Sequence, residues 1–310
     1  MRYLILGAGA LGGFFGGKLL KSGADVTFLV RPRRAEQLQR DGLINRMQDG
    51  EIRTPVRTVL EGQIDAPYDL IVLPCKAYDL DDAISAIAPG VGEHSAILPL
   101  LNGIAHIDVL KERFGADRVL GGLTIINAVL LPDGVIQQGE LRINTTTFGE
   151  LTGKLSSRCC EIQKAFKAAN LHVDLTSTIV ADMWDKFFTF ACIAVITSMT
   201  RSRAGVIAGT GSAAEFVSAV VEECARVVAA EGFPPAPGSG DVIRSIFSQP
   251  DSSYGPSLLV DMEQGRRTEG QHTIGDLVGR ANKQGVSAPL LTAALCNIQA
   301  YEFGRIRPAE

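Results

Sequence analysis

The chain has no long hydrophobic run. Its most apolar stretch, residues 187–199, is about 13 residues long, whereas a helix that spans a bilayer needs about 20. The first residues, MRYLILGAGALGG, also lack the basic segment followed by a cleavable apolar one that marks a secretory leader. Both absences argue against a membrane anchor, and we expect a cytoplasmic protein.

The cysteines form no motif of the metal-binding or redox type. None of the six belongs to a CxxC pair or to a Cys/His cluster with metal-ligand spacing, so we expect no metal site. Most of them lie in apolar stretches, where a reduced thiol behaves as a small hydrophobic group. This usage is typical of a reducing compartment such as the cytoplasm.

Positive charge is not in excess either. The 310 residues include 30 Lys and Arg against 34 Asp and Glu, a formal net charge of −4. This balance argues against nucleic acid or an anionic membrane surface as the main partner and favours a small-molecule ligand. A chain of this length exceeds the usual size of a single core, so two domains are expected.

Short apolar runs alternate with helical patterns in the first half of the chain. Strands are predicted over residues 2–7, 25–30, 69–74 and 95–103. This βαβα order is typical of a parallel, doubly wound α/β sheet that is covered on both faces. Further strands, including an antiparallel extension, are predicted within residues 118–131, 139–151 and 172–177. The first domain is therefore expected to be residues 1–176.

Long helical patterns follow. Helices are predicted over residues 178–200, 211–232, 240–248, 256–284 and 289–303, with a Pro/Gly-rich break at EGFPPAPGSG. We therefore expect an all-helical second domain, residues 177–310.

A glycine motif follows the first predicted strand. The stretch LILGAGALGG places Gly7, Gly9 and Gly12 as GxGxxG between a strand and a helix. These glycines permit, in order, a tight turn, close approach of the backbone to a pyrophosphate, and close helix packing. The helix N-terminus at Ala10 and Leu11 supplies amide donors for the phosphates. The sequence thus predicts an N-terminal Rossmann-type domain that binds a dinucleotide.

The second predicted strand ends in FLVRPRR, with Arg31 at the position where an NAD-selective site usually has an acidic residue. A guanidinium there can bind a ribose 2′-phosphate through two hydrogen bonds, and Arg33 and Arg34 lie close by in the sequence. The pattern favours NADP(H) over NAD. A solvated arginine cluster is the alternative.

A single lysine, Lys186, stands at the head of the apolar stretch WDKFFTFACIAVIT. It could mark the end of a core helix and extend its ammonium group to water. It could also be a desolvated acid or base in a functional site. The stretch by itself leaves both interpretations open.

Five motifs together resemble the ketopantoate reductase family of the 6-phosphogluconate-dehydrogenase-like superfamily. They are GAGALGG with Arg31, CKAYD (75–79), LLNG (100–103), WDK (184–186) and SLLVDMEQGRRTE (257–269), in this order over nearly the whole chain. The resemblance implies an NADPH-dependent reductase of a 2-oxo acid, ketopantoate in pantothenate biosynthesis, with its site between a Rossmann domain and a helical domain. It implies a small-molecule partner and allows a homodimer.

The resemblance also implies roles for residues of the site. Lys186 would protonate the carbonyl oxygen as hydride reaches the carbon, which neutralises the alkoxide as it forms. Glu269 would contact the cofactor ribose or the substrate hydroxyl and balance the charge of the lysine. Ser257 would reach the substrate carboxylate. The alternatives are a solvated glutamate at 269 and a helix N-cap at 257.

Three further residues are expected at the cofactor. Asn102, in the loop after the fourth strand, would serve cofactor and substrate together, and the backbone of Ala128 would lie along the cofactor. Lys76 follows the third strand, at the carboxyl edge where open α/β sheets bind ligands. A turn asparagine, a strand-end alanine and a surface lysine are the plainer interpretations.

The resemblance fails at the wall of the substrate pocket. Enzymes that make pantoate have asparagines four and eight residues after the lysine and a third near the end of that helix, whereas this chain has Phe190, Ala194 and Ala204. Thr189 and Thr197 lie close to the same face but are not equivalent. Phe190 and Ala194 are therefore expected to contact the substrate.

We predict that the catalytic groups match the family while the substrate is less polar than ketopantoate. Two alternatives remain open from the sequence. One is a related dehydrogenase that oxidises a hydroxy acid, and the other is a non-catalytic protein that binds NADP.

Overall fold

The chain folds as an α/β part followed by a helical part, which confirms the predicted fold class. The structure is a computed structural model that describes residues 1–47, 50–139 and 144–306. The chain divides into two units, Met1–Val180 and Ala181–Glu310.

The first unit contains the strands and five helices. Its strands are β1 (Arg2–Leu6), β2 (Asp25–Leu29), β3 (Leu43–Met47), β4 (Gly50–Thr54), β5 (Arg57–Val59), β6 (Tyr68–Leu73), β7 (Val91–Pro99), β8 (Leu120–Ile125), β9 (Ala128–Leu130), β10 (Ile136–Gln138), β11 (Thr145–Glu150) and β12 (Val173–Leu175). Its helices are α1 (Ala10–Lys21), α2 (Pro32–Asp41), α3 (Leu80–Ile87), α4 (Ala105–Phe114) and α5 (Ser157–Ala168).

A five-stranded parallel sheet with the order β5-β2-β1-β6-β7 forms the centre of this unit. Leu4 and Ile5 of β1 are fully buried, as expected for the middle strand of a sheet that is covered on both faces. β1 pairs with β2 on one side and with β6 on the other. The carboxyl end of β1 is therefore a topological switch point, the place where sheets of this kind bind ligands.

Helix α1 packs closely because its sequence, ALGGFFGGKLLK, has two pairs of glycines. A Cβ atom on Gly16 would overlap the ring of Phe28 in β2 and would lie 2.9 Å from the Cδ1 atom of Ile5. A Cβ atom on Gly13 would overlap Ile136 of β10, in a second sheet with the order β4-β3-β10-β9. The helix therefore packs between two sheets where a larger residue would hold them apart.

The third sheet supplies the predicted antiparallel extension. It has the order β12-β11-β8, and β8 pairs with β11 in antiparallel register from Leu120 opposite Glu150 to Ile125 opposite Thr145. The predicted strand over residues 118–131 is in fact two strands, β8 and β9, which belong to different sheets. The predicted strand over 139–151 begins at Thr145, and residues 140–143 lie outside the described residues.

Two further predictions for this unit need correction. The strand predicted over 95–103 is β7, which ends at Pro99, so residues 100–103 form the loop after the strand. The hairpin of β3 and β4 was not predicted because β4, GEIRT, is largely exposed and mostly polar. An exposed polar strand gives too weak an alternation to be recognised.

The second unit is built from helices. They are α6 (Ile179–Thr200), α7 (Ala204–Ala208), α8 (Ala213–Ala230), α9 (Ser239–Ile246), α10 (Ser257–Glu263), α11 (Gly270–Gln284) and α12 (Pro289–Ile306). Residues 191–198 of α6 are all buried, so this helix forms the core of the unit. Among the described residues, no helix is both long and apolar enough to span a bilayer.

The single helix predicted over residues 256–284 is in fact two, α10 and α11. Gly265 ends α10 with a positive φ of 66°, a conformation that glycine adopts without strain. The backbone N–H of Arg266 then donates to the carbonyl of Asp261 at 2.8 Å, and the Arg266 side chain donates to the Asp261 carboxylate at 2.9 Å. This break places Glu269 at the N-cap of α11.

The packing of α1 predicts an effect of Gly16→Ala. The added methyl group would overlap Phe28, and overpacking a core of this kind costs about 1–3 kcal/mol. Gly279→Ala is the matched control, because Gly279 is an exposed glycine within α11 and its Cβ atom would meet nothing within 4 Å. That control should be stabilised by about 0.5–1 kcal/mol. Urea unfolding measures both, and a Gly16→Ala protein as stable as the control would contradict this account.

Candidate functional site

In the glycine loop at the carboxyl end of β1, each of the three glycines has its own steric role. Gly7 has a φ of 81°, which allows the tight turn, and its N–H donates to the carbonyl of Leu29 at 2.7 Å, which continues the pairing of β1 with β2. A Cβ atom on Gly12 would overlap the carbonyl of Gly7, whereas a Cβ atom on Gly9 would meet nothing within 4 Å. Gly9 therefore leaves the mouth of the loop open.

The N-terminus of α1 follows directly on this loop. Gly9 is its N-cap and provides no side-chain hydrogen bond, and the first turn, which contains Ala10 and Leu11, has no acidic residue. Backbone N–H groups and the positive end of the helix dipole are thus available to an anion. The loop and the helix together fit the pyrophosphate of a dinucleotide.

Arg31 lies at the end of β2, as the N-cap of α2. Its side chain is 79% exposed, and its Nη2 atom lies 3.5 Å from the Oδ2 atom of Asp79, which follows β6. An exposed ion pair of this kind contributes less than about 1 kcal/mol. The guanidinium can therefore leave Asp79 for a stronger anion at little cost.

Arg34, unlike the exposed Arg31, is half-buried and is hydrogen-bonded within the protein. Its guanidinium donates to the carbonyl of Ala8 at 2.8 Å, to the carbonyl of Gly134 at 3.2 Å, and to the side chain of Gln37 at 2.6 Å. Burial lowers the pKa of this guanidinium. Arg34 thus ties the glycine loop to the turn before β10. Arg33, in contrast, is exposed.

Three other predicted cofactor residues lie in the first unit. Lys76 follows β6 and Asn102 follows β7, and both are half-buried. Because β1, β6 and β7 run parallel side by side, these two residues lie at the same edge of the sheet as Gly7. Ala128 is the first residue of β9 and is half-buried.

Lys186 is half-buried on the second turn of α6. Burial lowers the pKa of its ammonium group from 10.5 to about 8, while the negative charge of Glu269 acts in the opposite direction. The two predicted catalytic residues thus interact electrostatically. An amine of this kind is mostly protonated at neutral pH, yet it gives up its proton more readily than an ordinary lysine does.

Glu269 is only 4% exposed. The residues beside it are held by hydrogen bonds: the N–H of Thr268 donates to the Glu302 carboxylate at 2.6 Å, and the hydroxyl of Thr273 donates to the carbonyl of Glu269 at 2.9 Å. The alternative of a solvated glutamate does not fit this burial.

The helix face after Lys186 is apolar and closely packed. Phe190 is half-buried, whereas Ala194 has no exposed surface. Ala204, which was expected near the end of the same helix, is instead the first residue of α7, because α6 ends at Thr200, and it also has no exposed surface. Thr197 is also fully buried, and its hydroxyl donates to the carbonyl of Ile193 at 2.7 Å. The hydroxyl proton of Thr197 is therefore already donated to a hydrogen bond within α6. Of the predicted contacts on α6, Phe190 retains exposed surface and Ala194 does not.

Ser257 is the exposed first residue of α10. The N-cap of this helix is Pro256, so Ser257 is not the cap that the alternative interpretation assigned to it. Among residues 1–47, 50–139 and 144–306, no three His, Cys, Asp or Glu side chains lie close enough together to hold a metal ion.

The fold defines a class of protein in which a Rossmann-like parallel sheet is followed by an all-helical C-terminal region. The chain belongs to the ketopantoate reductase family. Residues 3–153 match the model for "Ketopantoate reductase PanE/ApbA", and residues 178–302 match that for "Ketopantoate reductase PanE/ApbA C terminal". The family predicted from the five sequence motifs is thereby confirmed.

Known relatives span the whole chain. The uncharacterized oxidoreductase YkpB of Bacillus subtilis is 32% identical over 97% of this chain and 99% of its own length. The 2-dehydropantoate 2-reductase of Pyrococcus horikoshii is 29% identical over 94% of each chain.

Solved structures share the fold. D-mandelate dehydrogenase in a ternary complex with NADH and anilino(oxo)acetate has a TM-score of 0.88 at 22% identity and covers 98% of this chain and 99% of its own. The 2-dehydropantoate 2-reductase of Geobacter metallireducens has a TM-score of 0.87 at 24% identity and covers 97% and 99%. At these identities the likeness establishes the fold alone.

The electrostatic interaction between Lys186 and Glu269 predicts an effect of Glu269→Gln. Because the carboxylate raises the pKa of Lys186 against the effect of burial, its loss should move that pKa below about 8. The measurement is the rate at which an amine-reactive reagent labels the Lys186 peptide, followed against pH by mass spectrometry.

Glu263→Gln is the control, because Glu263 is exposed and pairs with Arg203 at 2.7 Å. Its labelling curve should match that of the unchanged protein. A Glu269→Gln curve that also matches would show that the two groups do not interact.

Proposed function

We propose that this protein is an NADPH-dependent reductase of a 2-oxo acid, with Lys186 as the general acid. Residues 1–176 would bind the cofactor, and residues 177–310 would supply the substrate-binding and catalytic groups. The observation that carries the proposal is the half-buried Lys186, whose pKa desolvation lowers to about 8, together with the buried Glu269 that acts on it. Surface lysines do not have such surroundings, and perturbed pairs of this kind concentrate at functional sites.

The chemistry follows from this pair. NADPH, when bound, supplies the hydride that reaches the carbonyl carbon. The carbonyl oxygen then gains negative charge, and the Lys186 ammonium donates its proton to that oxygen as the charge develops. The neutral amine left behind is tolerated because burial already disfavours the charged form. Glu269 keeps the amine protonated between turnovers near neutral pH.

The cofactor preference rests on Arg31. Its exposed guanidinium lies at the end of β2, where the adenosine ribose of a dinucleotide is bound in sheets of this kind. It can exchange its weak pairing with Asp79 for two charged hydrogen bonds to a 2′-phosphate. D-mandelate dehydrogenase, which shares the fold, is described with NADH. The fold by itself therefore does not select NADPH over NADH, and the proposed preference of this chain for NADPH rests on Arg31.

Arg31→Ala should weaken the binding of NADPH far more than that of NADH. A lost hydrogen bond to a charged group is worth about 1.5–3 kcal/mol, which is about 10- to 100-fold in the dissociation constant. Titration by cofactor fluorescence measures both constants.

Asp79→Asn is the matched control for Arg31→Ala. It removes the competing carboxylate 3.5 Å from the guanidinium, and NADPH should then bind at least as tightly as before. Equal losses for NADPH and NADH in Arg31→Ala would contradict the assignment of Arg31.

The substrate preference rests on the helix face after Lys186. Ketopantoate has a hydroxyl group that needs hydrogen-bond partners, but Phe190 and Ala194 offer none, and Thr197 already donates to Ile193. An unsatisfied buried hydroxyl costs about 1–3 kcal/mol. Thr189, three residues after Lys186 on α6, is half-buried. We therefore propose a 2-oxo acid whose substituent is less polar or bulkier than that of ketopantoate.

The test is NADPH consumption with ketopantoate, its deoxy analogue 3,3-dimethyl-2-oxobutanoate, and a phenyl-substituted 2-oxo acid. The deoxy analogue should exceed ketopantoate in kcat/KM by about 10- to 100-fold, since each 1.36 kcal/mol is tenfold in rate. If ketopantoate is instead preferred by tenfold, the protein is a pantoate-forming enzyme with a different pocket wall. If no 2-oxo acid is reduced, the proposed function is wrong.

Lys186→Ala is the control for chemistry within the same assay. It should keep its helicity and its affinity for NADPH while kcat falls about 10²- to 10⁴-fold, the usual loss for a positioned general acid. In the unchanged protein, kcat/KM should fall as the pH rises above about 8, because the neutral amine cannot donate a proton. Reduction that continues undiminished well above that pH would exclude Lys186 as the acid.

A further inference from the structure

Trp184, two residues before Lys186, is held between aromatic and cationic groups. Its side chain is 5% exposed, and its ring stacks on that of Phe233 with the centroids 5.0 Å apart and the planes at 10°. The guanidinium of Arg280 in α11 lies 5.0 Å from the centroid of the same ring. Indole is the aromatic group that holds a cation best.

Arg280 is itself fixed. It donates to the carboxylate of Asp276 at 2.9 Å and to that of Glu231 at 2.5 Å. Gln284, one turn further along α11, donates to Glu231 at 2.8 Å. The cation against Trp184 is thus attached to α11, the same helix whose N-cap is Glu269.

Asp185, immediately before Lys186, is held by a different part of the unit. Its carboxylate accepts from the backbone N–H of Ala236 at 2.9 Å and from the hydroxyl of Ser239 at 2.8 Å. Within PPAP (234–237), Ala236 is the one residue with a backbone N–H, because the other three are prolines. Ser239 begins α9, so the carboxylate also lies at the positive end of a helix dipole.

Successive residues of a helix point about 100° apart, since there are 3.6 residues per turn. Residues 184, 185 and 186 therefore project in three directions from α6. Two of these directions are anchored, by Phe233 with Arg280 and by Ala236 with Ser239. With two of the three directions fixed, the helix cannot rotate, and the third direction, that of Lys186, is fixed as well.

We propose that Trp184 and Asp185 are positioning residues that set the rotation of α6 and thereby hold the half-buried Lys186 where the charge of Glu269 acts on its ammonium group. The inference rests on the proposed function for its catalytic consequence, but the geometry of the anchors is independent of the substrate. Neither residue needs to touch substrate or cofactor. In the WDK motif, Lys186 is then the reacting residue, and Trp184 and Asp185 hold it in position.

The experiment compares Asp185→Ala and Asp185→Asn with the unchanged protein. Asp185→Ala removes both acceptor oxygens, whereas the amide oxygen of Asp185→Asn can still accept from Ala236. Asp241→Ala is the control, because Asp241 is an exposed carboxylate in the first turn of α9 that pairs with Arg244 at 3.0 Å. Labelling of the Lys186 peptide against pH is measured for all four proteins, with kcat and KM for the best substrate.

Asp185→Ala should move the midpoint of Lys186 labelling away from about 8, upward toward 10.5 as the ammonium gains water, because burial is the larger cause of its low pKa. With substrate, kcat should fall about 10- to 100-fold while KM changes little, as expected for a misplaced catalytic group. Asp185→Asn should largely restore both readouts. Asp241→Ala should change neither.

Labelling curves and kcat values of Asp185→Ala that match those of the unchanged protein would overturn the inference, even if the variant melts at a lower temperature. A shifted labelling curve in a protein that reduces no 2-oxo acid would support the positioning of Lys186 while rejecting the proposed function.

Discussion

The close approach of α1 to two sheets is the constraint on which the α/β unit depends. Gly16 removes the Cβ atom that would meet Phe28, and Gly13 removes the one that would meet Ile136. The same helix begins at Gly9, where its free N–H groups face the mouth of the glycine loop. The glycines of this loop and helix therefore do two things: Gly13 and Gly16 allow the dense packing, and Gly9 leaves the N-terminus of the helix open.

The burial of the Lys186 ammonium group destabilises the helical unit. The fall of its pKa from 10.5 to about 8 corresponds to about 3 kcal/mol against the charged form, a large fraction of the stability of a typical domain. Burial by itself would lower the pKa further, and the carboxylate of Glu269 limits the fall. The fully buried residues 191–198 of the same helix provide the apolar packing that offsets such a cost.

The order of strands and helices could be predicted because β1, β2, β6 and α6 are long or strongly apolar patterns. The hairpin of β3 and β4 could not be, since its exposed polar residues leave little periodicity, and the break at Gly265 was hidden within a continuous helical pattern. In the candidate site, the glycine motif can be recognised from its place between a strand and a helix, whereas a role for Lys186 follows only from the resemblance to the family. The hydrogen bond from Arg34 to the carbonyl of Ala8 could not be predicted, because no local sequence pattern connects these two residues.

The hydrogen bond between Asp185 and Ala236 uses a backbone N–H rather than a side chain. Any residue at position 236 except proline supplies that donor, so the anchor is insensitive to the chemical nature of the side chain there. Three neighbouring prolines have no N–H to offer, which also prevents this stretch from pairing as a strand with another chain. The segment that anchors the start of α6 therefore tolerates side-chain changes at residue 236 and resists aggregation through its backbone.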